Sequence, residues 1–218
     1  MLFKHPGRLI LFEGCEGSGK STLIKRLADI LRWFDYNVLE TKEPGHDTKK
    51  GVKIREVLMD PNFPMTSEEE LALFFEGRSD HFEKIIIPAL QKGKIILCDR
   101  SSPSTISYQH YGRGLDLTDI LVQDAKARKN INFDMIFLLD ISPKSGLMRK
   151  KPASAADRFE LEAINFHNRV RSGYLEQAKN DPEKKWIIID ASKPIKEVLN
   201  EVRGSVMEFL NRRSNREK

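Results

Sequence analysis

Cysteine is scarce: Cys15 and Cys98 are the only two in 218 residues, which excludes a disulfide-stapled fold and suits a reduced, intracellular compartment. Long apolar runs are missing too. Stretches such as Ile136–Leu139 and Ile187–Ile189 fall far short of the roughly 20 residues that span a bilayer, and Met1 to Arg8 lacks the apolar run and small-residue cleavage site of a secreted chain. The expectation is a cytoplasmic protein with no membrane association. No internal repeat, low-complexity tract or long linker divides the sequence. Charge of one sign does not dominate either: 37 Lys and Arg against 32 Asp and Glu leave +5, an excess that suits bound phosphates and nucleic acid alike. What is present is a chain 39% hydrophobic and 32% charged. That balance excludes disorder by composition and, at this length, predicts one α/β domain over residues 1–218 with a small mobile insert.

Short apolar runs alternate with stretches of helical period, the sequence signature of a parallel sheet covered on both faces. Strands are predicted at Arg8–Glu13, Asn37–Thr41, Lys94–Cys98, Phe133–Leu139 and Lys185–Ile189. Helices are predicted at Gly19–Phe34, Lys49–Met59, Ser67–Gln91, Asp116–Asn130, Phe159–Asn180 and Pro194–Arg212. Ser67 and Glu70 have capping-box spacing at the start of the third helix. The charged stretch from Arg212 to Lys218 reads as a frayed, solvated tail.

After the run Leu9–Phe12 comes Gly14-Cys15-Glu16-Gly17-Ser18-Gly19-Lys20-Ser21-Thr22, which is G-x-x-x-x-G-K-[ST] between a strand and a helix. Glycines let successive backbone amides converge on phosphate oxygens, and the helix N-terminus adds partial positive charge. Lys20 reaches the β and γ phosphates, and Ser21 offers a hydroxyl to Mg²⁺. The predicted fold is therefore that of a P-loop nucleoside triphosphate-binding protein with a five-stranded parallel sheet. A guanine-reading Asn-Lys-x-Asp is missing after Phe133–Leu139, where Asp140-Ile141-Ser142-Pro143 follows instead, so a switch GTPase is disfavoured.

The third strand ends in Asp99-Arg100. A strand-terminal carboxylate beside the loop can hold Mg²⁺ or its waters, and the adjacent guanidinium can grip a second phosphate. Several other features complete a pattern: Phe12-Glu13-Gly14 with Glu16 in the loop, Glu43-Pro44-Gly45, Phe74 with Arg78, Ser104 with Tyr108-Gln109, and Asp157-Arg158-Phe159-Glu160. With these residues the chain resembles the thymidylate kinases, the dTMP kinase family of nucleoside monophosphate kinases, from Leu9 to about Tyr174.

The resemblance implies transfer of a phosphoryl group from MgATP to dTMP. It implies that Phe74 stacks on thymine and Arg78 bonds its O4, in keeping with their four-residue spacing on one helical face. By the same resemblance Gln109 reads the ring edge, Tyr108 crowds the sugar where a 2′-hydroxyl would lie, and Glu16 accepts from the 3′-hydroxyl. Arg55 and Arg100 hold the monophosphate, with Ser104 beside them. Glu43-Pro44 corresponds to a family turn with a cis peptide, and homodimers are the family's usual state. Lys42 stands where many members have arginine, a point charge in place of a rigid fork.

Residues 142–160 are rich in small and cationic residues, as befits a lid that closes over phosphates. Because the loop carries no arginine, the lid is expected to supply the charge on the transferring group, with Arg149 and Arg158 as candidates. Ser101 departs from the aromatic or histidine common in the family and keeps a deoxynucleoside kinase as an alternative. A P-loop ATPase binding nucleic acid through its basic tail is a second, with nucleic acid the less expected partner. Cys15 and Cys98 read as buried thiols. His81, His110 and His167 have no partner at metal-ligand spacing, so protein-bound zinc is not expected.

Overall fold

The computed structural model describes residues 6–45, 47–149 and 157–214. Strand β1 (Arg8–Glu13) leads through the glycine-rich loop into helix α1 (Lys20–Trp33) and strand β2 (Val38–Lys42). Helices α2 (Lys49–Met59), α3 (Ser67–His81) and α4 (Ile87–Gln91) precede β3 (Ile95–Asp99). Then come α5 (Ser102–Thr105), α6 (Leu117–Ala127), β4 (Met135–Asp140), α7 (Pro143–Arg149), α8 (Ile164–Lys179), β5 (Trp186–Asp190) and α9 (Ile195–Ser214). All strand pairs are parallel, in the order β2-β3-β1-β4-β5. Each of the five predicted strands is present, with ends shifted by two residues at most.

β1 lies at the centre because both of its faces are apolar. Ile10 and Phe12 point into a core shared with Leu23, Leu27 and Leu31 of α1 and Val202 of α9. Leu9 and Leu11 point the other way, against Phe82, Ile86 and Leu90. All four strand side chains are 0% exposed, and each contributes about 1.5–3 kcal/mol through burial. On α1 the buried residues recur at helical spacing, which binds the helix following the loop to the sheet. Phe12 pairs with Asp99 across β1 and β3, so the two strand ends are level and the loops after them open onto one crevice.

The long helical stretch predicted over Ser67–Gln91 is continuous but changes pitch. Phe82–Ile86 is π-helical, with Ile87 N–H donating to Phe82 O. Pro88 lacks an amide and its ring crowds the preceding turn, a sufficient cause for the widened pitch. The capping box falls one residue earlier than predicted. Thr66 Oγ1 accepts from Glu69 N–H at 3.2 Å, and Glu69 Oε2 accepts from Thr66 N–H at 2.7 Å. The shift turns Glu70 inward, where it is 2% exposed.

Two helical segments were not predicted: Ser102–Gly112, formed by α5 and a π-helical continuation from Ile106, and α7. Their serines, glycines and prolines obscure helical periodicity in the sequence. Conversely α8 begins at Ile164 and not at Phe159, because Asp157 Oδ1 accepts from the amides of Phe159 and Glu160 and folds that stretch into turns. Most of the expected tail and lid residues 150–156 lie outside the described residues.

Candidate active site

The loop between β1 and α1 depends on backbone conformations that only glycine adopts without strain. Gly17 has φ 68° and Gly19 φ 92°. Gly17 also meets α7: a Cβ there would sit 1.9 Å from the Gly146 carbonyl oxygen. No acidic side chain occupies the first turn of α1 and no side chain caps it, so its amides remain available to an anion. Lys20 folds back over the loop, its Nζ donating to Gly14 O at 2.9 Å, Cys15 O at 3.0 Å and Ser18 Oγ at 3.2 Å. Burial, with Arg100 nearby, lowers its pKa to about 8. Ser21 Oγ donates to Asp99 Oδ2 at 2.7 Å. This hydroxyl and carboxylate form the hard oxygen set that suits Mg²⁺.

Arg100 is the hub of the acceptor side. Its φ is 70°, a left-handed backbone uncommon for a residue with a side chain. The turn is secured on both sides: Arg100 N–H donates to Phe12 O at 3.0 Å, and Ser101 N–H to Glu13 Oε1 at 2.8 Å. The Arg100 guanidinium donates to Tyr174 Oη at 2.9 Å, Ser104 Oγ at 3.2 Å and Glu16 Oε1 at 3.1 Å, and lies 5.2 Å from the Tyr108 ring centroid. Beneath it Glu13 accepts from the Ser104 hydroxyl at 2.6 Å and the Tyr174 hydroxyl at 3.2 Å. Burial still dominates and pushes the Glu13 pKa up to about 7. Burial also opposes ionisation of Glu16. There, however, Arg100 and hydrogen bonds from His167 and Tyr108 outweigh it and hold the carboxyl well below the usual range.

At the far end of the cleft Phe74 faces Phe159, with ring centroids 6.0 Å apart. Arg78 is 2% exposed. Its Nε donates to Glu43 Oε2 at 2.7 Å, Nη1 to Asp124 Oδ1 at 2.6 Å and Nη2 to Thr105 Oγ1 at 2.9 Å. These use three of a guanidinium's five N–H groups. Ser101, the residue that departs from the family pattern, donates from Oγ to Glu43 Oε1 at 3.1 Å and so supports the same pair. Gln109 closes the wall, with Nε2 donating to Glu70 Oε1 at 3.0 Å and Oε1 buried without a partner among the described residues.

One cleft of about 360 Å³ joins these parts. Its walls bring together the predicted loop residues from Glu16 to Thr22, with Asp99 and Arg100, and the predicted residues Arg55, Phe74, Arg78, Ser104, Tyr108 and Gln109. The Glu43–Pro44 peptide is cis, and Arg55 Nη1 donates to Pro44 O at 3.4 Å. Gly14, the first residue of the loop, is not among the residues lining the cleft; a Cβ there would meet the Leu139 carbonyl oxygen at 2.5 Å.

The two lid arginines are not among the residues lining this cleft. Arg149 donates to the carbonyls of Ala191 at 2.6 Å and Ser192 at 2.9 Å, beyond β5. Arg158 donates to the carbonyls of Asp60, at 2.7 Å, and Phe63. Both guanidiniums satisfy loop carbonyls in this arrangement. Residues to which the sequence assigned no role in the site also shape it. Glu13 appeared only within the Phe12-Glu13-Gly14 pattern and Glu70 only at capping-box spacing, whereas Tyr174 and Asp124 sit on helices with nothing local to mark them. Both thiols are buried and protonated: Cys15 is pushed up to about 12 by burial and by Glu16, and Cys98 well above its usual value by burial.

The geometry joins a nucleoside triphosphate cradle to an arginine-lined second site ending in an aromatic slot, and comparison with known proteins agrees. The family model described as thymidylate kinase matches residues 12–202. A thymidylate kinase of Carboxydothermus hydrogenoformans is 40% identical over 94% of this chain and 98% of its own length. One of Desulfovibrio desulfuricans is 38% identical over 94% and 97%, and one of Desulfosudis oleivorans 41% over 87% and 91%. With the motif, the cleft and the match along nearly the whole length in accord, this chain belongs to the thymidylate kinase family.

Proposed function

We propose that the chain transfers the γ-phosphoryl group of ATP to dTMP, giving dTDP and ADP. The observation that carries this reading is the polarity of the slot. Arg78, with two of its N–H groups outside the bonds above, and Gln109, whose carbonyl oxygen has no partner among the described residues, line the same cleft as Phe74. Thymine offers the complement, an O4 acceptor next to an N3–H donor, and a ring to stack.

In this reading the loop amides and Lys20 hold the β and γ phosphates, while Arg55 and Arg100 hold the monophosphate opposite. Glu16 takes the sugar 3′-hydroxyl, and Tyr108 fills the space beside the sugar. A Mg²⁺ ion held through Ser21 and Asp99 would neutralise triphosphate charge. The acceptor phosphate already carries a nucleophilic oxygen near neutral pH, so no general base is required. The side chains align two anions and suppress their repulsion. Arg149 and Arg158 would reach the transferring group on closure of residues 142–160, and Arg149 would have to release Ala191 and Ser192 to do so. Assembly as a homodimer is part of the proposal.

A nucleoside acceptor would give Arg55 and Arg100, which both line the cleft, no phosphate to hold, which disfavours the deoxynucleoside kinase. Among the described residues no helix is long and apolar enough to cross a membrane. A coupled ADP-release assay with dTMP, dUMP, thymidine and single-stranded DNA tests the reading. We expect turnover with dTMP far above that with thymidine and no stimulation by DNA. Equal turnover with thymidine, or hydrolysis driven by DNA, would overturn it.

A further inference from the structure

Gln109 forms part of the cleft wall in one orientation, and the residue that decides it lies behind the wall. Gln109 is 1% exposed and Glu70 2%. An amide has one donor end and one acceptor end, whereas a carboxylate only accepts. Glu70 Oε1 is therefore satisfied by Gln109 Nε2, at 3.0 Å, and the carbonyl end must turn elsewhere. That end, Oε1, is buried with no hydrogen-bond partner among the described residues. Glu70 is itself clamped. Arg113 donates from Nε to Oε1 at 3.2 Å and from Nη2 to Oε2 at 3.1 Å, stacks 4.8 Å from the Phe166 ring centroid and pairs with Glu162.

We propose that Glu70 is a positioning residue that sets base specificity without touching the base: by fixing the Gln109 amide it presents an acceptor to an N3–H. The inference rests on the thymidylate reading above. Thymine and uracil both carry N3–H. Cytosine carries a lone pair at N3, so two acceptors would face each other in a buried site that cannot rearrange. An amide released from Glu70 could rotate and offer its NH₂ group to cytosine instead. Glu70 thus separates thymine and uracil from cytosine, and leaves the choice between thymine and uracil to other residues.

The test compares kcat/KM for dTMP, dUMP and dCMP in the wild type, Glu70→Asp and Glu70→Gln. Aspartate keeps the charge facing Arg113 but withdraws the oxygen from Gln109; glutamine keeps the reach and loses the charge. Glu70→Asp should lower the dTMP:dCMP ratio on the order of tenfold, as expected for one misdirected buried hydrogen bond. The loss should appear mainly as a higher KM for dTMP, with dTMP:dUMP unchanged. Glu70→Gln should keep dTMP:dCMP within about threefold of wild type, since one acceptor oxygen remains in place. Equal losses on all three acceptors, or a larger change for glutamine than for aspartate, would assign Glu70 a merely structural charge and overturn the proposal. These ratios are internal to each preparation, so poor folding does not disguise them. Arg113→Lys, which loosens Glu70 from behind, supplies a second reading and should shift the ratio in the same direction. No change in either variant refutes the role. A wild type that does not prefer dTMP to dCMP would instead sink the thymidylate reading itself.

Discussion

The two ends of the cleft are built from different materials. The donor end is made largely of backbone: a few glycines, the first amides of α1, and one lysine that bonds to Gly14, Cys15 and Ser18 of its own loop. The acceptor end is made of side chains brought from β1, the turn after β2, α3, α6 and the helical segment after β3, joined through hydrogen bonds and buried ion pairs. The difference separates function from stability. At the donor end a side chain can be removed with little effect on the fold, whereas at the acceptor end the residues lining the cleft also hold the helices together.

Arg78→Met is the severest way to test that contrast. It removes the guanidinium that bridges the buried Glu43 and Asp124 carboxylates, leaving Glu43 to Ser101 and His81 and Asp124 to Ser102 and Arg128, and should lower unfolding free energy by about 3–5 kcal/mol in chemical denaturation. dTMP binding should be lost along with it. A fully stable Arg78→Met enzyme would mean that the network is held by something other than Arg78. Lys20→Ala should do the reverse, cutting kcat by about 10²–10³-fold while thermal stability and dTMP affinity change little. Turnover within a few-fold of wild type would remove Lys20 from the transfer step.

Glu13 lies where the two ends meet, and pH addresses it. Its folded pKa, about 7, is raised above that of an unfolded glutamate. Its favourable contribution is therefore complete below about pH 4.5 and is lost as pH rises through about 7. Glu13→Gln should gain stability relative to wild type across that window, by an amount on the order of 3 kcal/mol. Parallel stability–pH curves would show that Glu13 titrates normally. The smallest effect is expected for exposed Arg149: Arg149→Ala should change stability by less than about 1 kcal/mol. A fall in kcat in the same variant would place its guanidinium on the transferring group, and unchanged turnover would leave it as a tether for the loop after β5.

The same contrast explains what could be read in advance. The β1 strand, the loop and α1 were legible because their determinants are consecutive: an apolar run, glycines at fixed spacing, then a helical stripe. Phe74, Arg78, Tyr108 and Gln109 were legible through family resemblance. Their supports were not, because Asp124 lies 46 residues beyond Arg78 and no local pattern links the two. The capping-box error at Ser67 and Glu70 is instructive in the same way. Three successive glutamates offer near-equivalent local partners, and the choice among them was made by Gln109 and Arg113, about forty residues away. Helix Ser102–Gly112 escaped notice because its serines and Pro103 are poor helix formers, and it is held by packing against α8.

The meeting of Gly17 and Gly146 has a mechanical consequence. A Cβ on Gly146 would stand 2.2 Å from the Glu16 carbonyl oxygen, just as one on Gly17 would strike Gly146, so the two backbones pass where no methyl fits. Helix α7 is thereby seated directly on the glycine-rich loop. A displacement of that loop would reach the segment bearing Arg149 through bare main chain, with no intervening side chain to absorb it.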